Sequence, residues 1–86
     1  MKELKWSAEK SAWLKRERGL SFEEITELGV LIRIDVNPGR SDQKIMLLDI
    51  NRYIWVIPFE EQENAWFLKT AYPCRKYTRA YEKNQL

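Results

Sequence analysis

From Val30 onward the apolar positions of the chain recur every second residue. Val30, Ile32, Ile34 and Val36 alternate with Leu31, Arg33 and Asp35, the period of a half-buried strand. Asn37-Pro38-Gly39 breaks the run, and three more strands are predicted over 43–49, 53–58 and 65–72. Within 53–58, Tyr53, Trp55 and Ile57 fall on one side and Ile54 and Val56 on the other, which marks a central strand. A tight turn near Asn51 and the polar run Glu60-Glu61-Gln62-Glu63-Asn64 separate the strands, and Pro73 closes the last of them.

Ahead of the strands the pattern is helical. Ser7 precedes a stretch free of Gly and Pro in which Trp6 and Trp13, seven apart, share a face with Leu14, predicting a helix over 7–17. Gly19 ends it. Ser21-Phe22-Glu23-Glu24 then supplies a capping box, with Leu20 and Ile25 placed as a hydrophobic staple, so a second short helix starts near Phe22 and stops at Gly29. Beyond Pro73, Arg75–Lys83 carries Tyr77 and Tyr81 as an i, i+4 pair and reads as a C-terminal helix. The expected fold is α+β, one domain over residues 1–86. It has two N-terminal helices, a four-stranded antiparallel sheet because the connections are short, a short C-terminal helix, and helices covering one face.

Composition narrows the chemistry. The single cysteine, Cys74, cannot close an intrachain disulfide, and no secretory leader is apparent, so a reducing cytoplasmic setting is expected. No apolar run approaches the roughly 20 residues needed to cross a bilayer, so no membrane partner is expected. With 86 residues, stability rests on a few large side chains, and Trp6, Trp13, Trp55 and Trp66 are assigned to the core.

The net charge of +2 hides an uneven distribution. Residues 1–18 carry six basic and three acidic side chains, residues 19–68 four and nine, and residues 69–86 five and one. If folding brings the two ends together they form a positive face suited to phosphates, while solvated helix faces are the plainer alternative. The chain has no histidine, which excludes Ser-His-Asp and Cys-His mechanisms, and a lone cysteine cannot build a zinc site. No cofactor or metal is expected, since the carboxylates show no ligand spacing.

What remains is a concentration of Lys, Arg and Tyr where the last strand feeds the last helix. RNA cleavage needs little equipment, because the 2'-hydroxyl is a built-in nucleophile that needs deprotonation, charge stabilisation at phosphorus and a protonated leaving group. On this reading Arg75 and Arg79 hold the scissile phosphate, and Lys69 or Lys76 assists proton transfer. Lys10, Lys15, Arg40, Tyr72 and Tyr81 extend the RNA-binding footprint. Neighbouring cations are expected to lower the pKa of a Lys or Tyr there. Cys74 reads as a stand-in for a helix-capping serine.

Both ends of the sequence resemble a known family. Lys5-Trp6-Ser7-Ala8-Glu9-Lys10 with Arg18-Gly19-Leu20-Ser21-Phe22-Glu23-Glu24-Ile25 looks like the opening of the BrnT toxins, and Phe67 to Arg79 resembles their last strand and basic helix. Arg18 stands where members often carry His, and Cys74 where Ser is usual. The resemblance implies a RelE-like architecture and a toxin that inhibits translation by cutting RNA, ribosome-bound mRNA included. It also implies a cognate antitoxin of the ribbon-helix-helix type, through which alone DNA would be contacted. The expected activity is therefore a metal-independent endoribonuclease. Its rival is a non-catalytic binding module whose basic face docks RNA or an acidic antitoxin segment, and a purely structural interaction domain is a third option.

Overall fold

The structure, a computed structural model, describes residues 2–86. The chain runs β1 (Glu3–Trp6), α1 (Ala8–Arg18), α2 (Phe22–Leu28), β2 (Val30–Val36), β3 (Lys44–Ile50), β4 (Tyr53–Glu61), β5 (Ala65–Leu68), β6 (Tyr72–Pro73) and α3 (Arg75–Glu82). The strands form one six-stranded mixed sheet in the order β1-β5-β4-β3-β2, with β6 joined to β4. The expected four-stranded antiparallel sheet is thus corrected on two counts. Glu3–Trp6 adds a strand that lies parallel to β5, pairing Glu3 with Ala65 and Trp6 with Leu68. The single strand expected over 65–72 is split, because β5 pairs with Phe59–Glu61 and the chain rejoins β4 only at Trp55 and Val56.

Helices cover both faces of the sheet, not one. β3 and β4 carry apolar side chains at both parities and are buried along most of their length, so neither face can be left to water. On one face Leu14 of α1 and Phe22 and Ile25 of α2, all fully buried, pack with Met46, Leu48, Ile57 and Phe59. On the other, Tyr77 and Tyr81 of α3 lie over Ile45, Leu47, Ile54 and Val56. Trp55 is buried, while Trp6, Trp13 and Trp66 are partly buried against the first cluster.

The local signals behind the N-terminal helices work as read. The Ser7 hydroxyl accepts from Lys10 N at 3.2 Å, and Gly19 closes α1 in the left-handed conformation (φ 89°). Ser21 and Glu24 form the reciprocal capping box of α2. A buried Ser11 links the two helices by accepting from Phe22 N at 2.9 Å and donating to Glu23. No helix of the described residues is long and apolar enough to cross a membrane.

Candidate nucleic-acid interface

α3 is set on the sheet by two polar anchors. The Thr78 hydroxyl donates to Cys74 O and accepts from Ile54 N, both at 2.8 Å, and the Tyr81 hydroxyl donates to Asp49 Oδ2 at 2.8 Å. With Tyr77, Thr78 and Tyr81 turned to the sheet, the helical period sends Arg75, Lys76, Arg79 and Lys83 outward. These four cations, with Ala80 and Gln85, line one open groove. Among the described residues none of the four forms an ion pair.

Arg75 and Lys76 occupy the first turn, where a helix's own dipole is positive and where stability alone favours Asp or Glu. Cys74 holds the N-cap position without capping: its thiol makes no cap bond, and its N–H donates to Ile54 O at 2.8 Å. The capping role expected of Cys74 is therefore not filled, and its side chain satisfies none of the first-turn N–H groups.

A second cationic group approaches the same junction from α1. Arg18 Nη1 donates to Ala71 O at 2.6 Å and to Thr70 Oγ1 at 3.3 Å, one and two residues before Tyr72. Its guanidinium lies 4.9 Å from the Trp13 ring centroid, and Lys10 Nζ lies 4.0 Å from the same ring. The outer surface of the molecule thus carries a partly buried indole flanked by two cations. Arg18 and Trp13 were not among the site residues expected from sequence, although Lys10, Trp13 and Arg18 share a short basic helix.

The remaining expected site residues lie elsewhere or are engaged. Lys69 Nζ sits 3.7 Å from Glu60 Oε1, Lys15 pairs with Glu24 at 2.9 Å, and Arg40 pairs with Asp42 at 2.8 Å in the loop after β2. All three pairs are exposed and weak, but none of these cations lines the α3 groove. Tyr81 is an anchor, not a reader of ligand. Tyr72 is exposed beside the junction, and its proton is held more firmly than usual. Burial of part of the ring pushes its pKa up, the nearby Cys74 and Tyr77 add to the rise, and Arg18 opposes it. The Tyr81 phenol is also raised, chiefly by its bond to Asp49. The expectation that cations lower the tyrosine pKa values is corrected: desolvation prevails at Tyr72 and a carboxylate neighbour at Tyr81, whose hydroxyl donates to Asp49.

The arrangement can neutralise a string of phosphates, stack a base on Trp13 and donate a proton from Tyr72. Among the described residues no three His, Cys, Asp or Glu side chains gather in a metal-holding group. No family model, no curated protein and no solved structure matches the chain.

Proposed function

We propose that the chain is an RNA-directed toxin that grips a single strand along α3 and cleaves it through attack of the 2'-hydroxyl, leaving a 2',3'-cyclic phosphate. The observation that carries this reading is the groove lined by four cations of α3 and the residue after it, Arg75, Lys76, Arg79 and Lys83, none of which has a carboxylate partner among the described residues. Arg75 and Arg79 are like charges four residues apart, a spacing that opposes the helix by about 0.2–0.5 kcal/mol and that a bound polyanion would offset. Arg75 and Arg79 hold the scissile phosphate and stabilise the charge that grows on it; as the 2'-oxygen bonds to phosphorus its proton passes to Lys76 or to water, the bond from phosphorus to the 5'-oxygen breaks, and Tyr72, kept protonated, donates a proton to that departing oxygen. Lys69 is assigned no part, because it does not line the α3 groove. An acidic antitoxin segment, carried on a ribbon-helix-helix partner, neutralises the protein by covering the same cations.

One observation favours a second reading, a module that binds RNA without cutting it. The pKa values of Tyr72 and Tyr81 are both raised, Tyr72 by burial and Tyr81 by its bond to Asp49, so both phenols stay protonated and neither takes the 2'-hydroxyl proton. The two readings part on one experiment. Purified protein with EDTA should cut RNA to products ending in a cyclic phosphate, and Arg75→Ala should slow the cutting by about 10²-fold while leaving the melting temperature in place. Binding without cleavage, weakened by Arg75→Ala, selects the binding module. Neither binding nor cleavage ends both.

A further inference from the structure

β2 is the free edge of the sheet opposite β1, and it is poorly defended. Seven residues long, it exposes Val30 (63%), Leu31 (39%), Ile34 (37%) and Val36 (60%), and Leu28 just before it is 54% exposed. Native edges are usually short, interrupted by proline or lined with lysine, because their unpaired N–H and C=O groups template another strand. Here the interruption is a register shift between Leu31 and Arg33, which leaves the stretch from Arg33 to Val36 regularly paired to β3 and open on its outer side. Leu31, Ile34 and Val36 pair with Leu48, Met46 and Lys44, which places them on the face covered by α1 and α2.

We propose that this edge is the interface of a symmetric dimer, in which β2 pairs antiparallel with β2 of a second copy about a two-fold axis through Ile34. Charge selects the occupant. In that register Arg33 faces the partner's Asp35, Asp35 faces the partner's Arg33, and Ile34 faces the partner's Ile34. Moving the axis one residue either way sets Arg33 against the partner's Arg33, or Asp35 against the partner's Asp35. The sequence Arg33-Ile34-Asp35 is therefore complementary to itself in one centred antiparallel register, as an isologous interface requires. Within one copy the same two side chains already meet at 3.2 Å, so both lie on one face and reach across a strand spacing without changing sides.

An axis normal to the sheet also puts α1 and α2 of both copies on the same side. The exposed Leu31, Ile34 and Val36 of each copy then join into one apolar strip across the junction. β2 is separated from β4, on which α3 sits, by β3, so the pairing leaves both basic grooves open. The inference is independent of the RNA reading and stands or fails without it.

Sedimentation of the full chain against concentration tests it, the monomer being 10.4 kDa. The wild type should reach twice that mass. Arg33→Asp, which sets acid against acid, should weaken association by about 10-fold or more, and the exchange R33D/D35R should restore it. In a Cys74→Ser background, Ile34→Cys should form a disulfide-linked dimer on mild oxidation, since directly opposed strand positions lie about 4.5–5.5 Å apart, and Val30→Cys should not. A wild type that stays monomeric up to about 1 mM, a dimer indifferent to R33D, or equal cross-linking at positions 30 and 34 would each overturn the proposal.

Discussion

Glu23 collects polar contacts from three elements. Its carboxylate accepts from the Ser11 hydroxyl and from Trp6 Nε1 at 3.3 Å, while it stands in the first turn of α2. The Ser11 bond, then its own backbone N–H, holds its pKa below the usual carboxylate value of 4.5. A carboxyl whose folded pKa is depressed stabilises the protein above its unfolded pKa and loses that contribution as pH falls through the folded value. Glu23→Gln should therefore be less stable than wild type at pH 7, with the gap closing below about pH 4.5 in denaturant titrations run at several pH values. The basic site on α3 was legible only in part. Arg75, Lys76 and Arg79 sit on one helix whose period is visible in the sequence, so their common face could be foreseen. Arg18 could not, because its partner Ala71 is 53 residues away. Tyr81 and Lys69 were drawn into the footprint because Asp49 and Glu60, the acids that hold them, belong to other strands.

Two glycines do opposite jobs at the ends of the helices. At Gly19 a Cβ would meet nothing within 4 Å, so the need for glycine is the positive φ alone. At Gly29 the backbone is ordinary, but a Cβ would fall 2.8 Å from both Ile25 O and Leu48 Cδ1. Gly19→Ala should cost about 1 kcal/mol of unfolding free energy, the penalty of the left-handed region. Gly29→Ala should cost about 1–3 kcal/mol, since the carbonyl belongs to α2 and cannot move aside. Thermal or urea unfolding of both variants checks the order. Helix boundaries read well from such stop signals and from the Ser21–Glu24 box, which are local. The strands read less completely. Glu3-Leu4-Lys5-Trp6 does alternate in burial, but four residues at the start of a chain make no strand until β5 offers an edge. The break after Leu68 was equally hidden, since Lys69 N turns to Pro58 O before the chain leaves β4 and returns at Tyr72.

Across the whole molecule, several cations stand without an ion pair among the described residues, Lys10 and Arg18 as well as those at α3. Cations on α3 are free, while Lys15, Arg33, Arg40, Lys44 and Lys69 are each matched by a carboxylate. Binding to single-stranded RNA through the four α3 cations should therefore weaken with salt at a log–log slope of about −3. Lys83→Ala should reduce that slope by about 0.7, and Arg40→Ala should leave it unchanged, as read by fluorescence titration across salt concentrations. The parallel ladder between residues 3–6 and 65–68 bears on how the chain is born. Glu3–Trp6 are made some sixty positions ahead of the segment they pair with and must wait for it. A chain that stops short of Ala65 leaves Glu3–Trp6 without the strand they pair with, so this edge of the sheet cannot close until that later segment has been made.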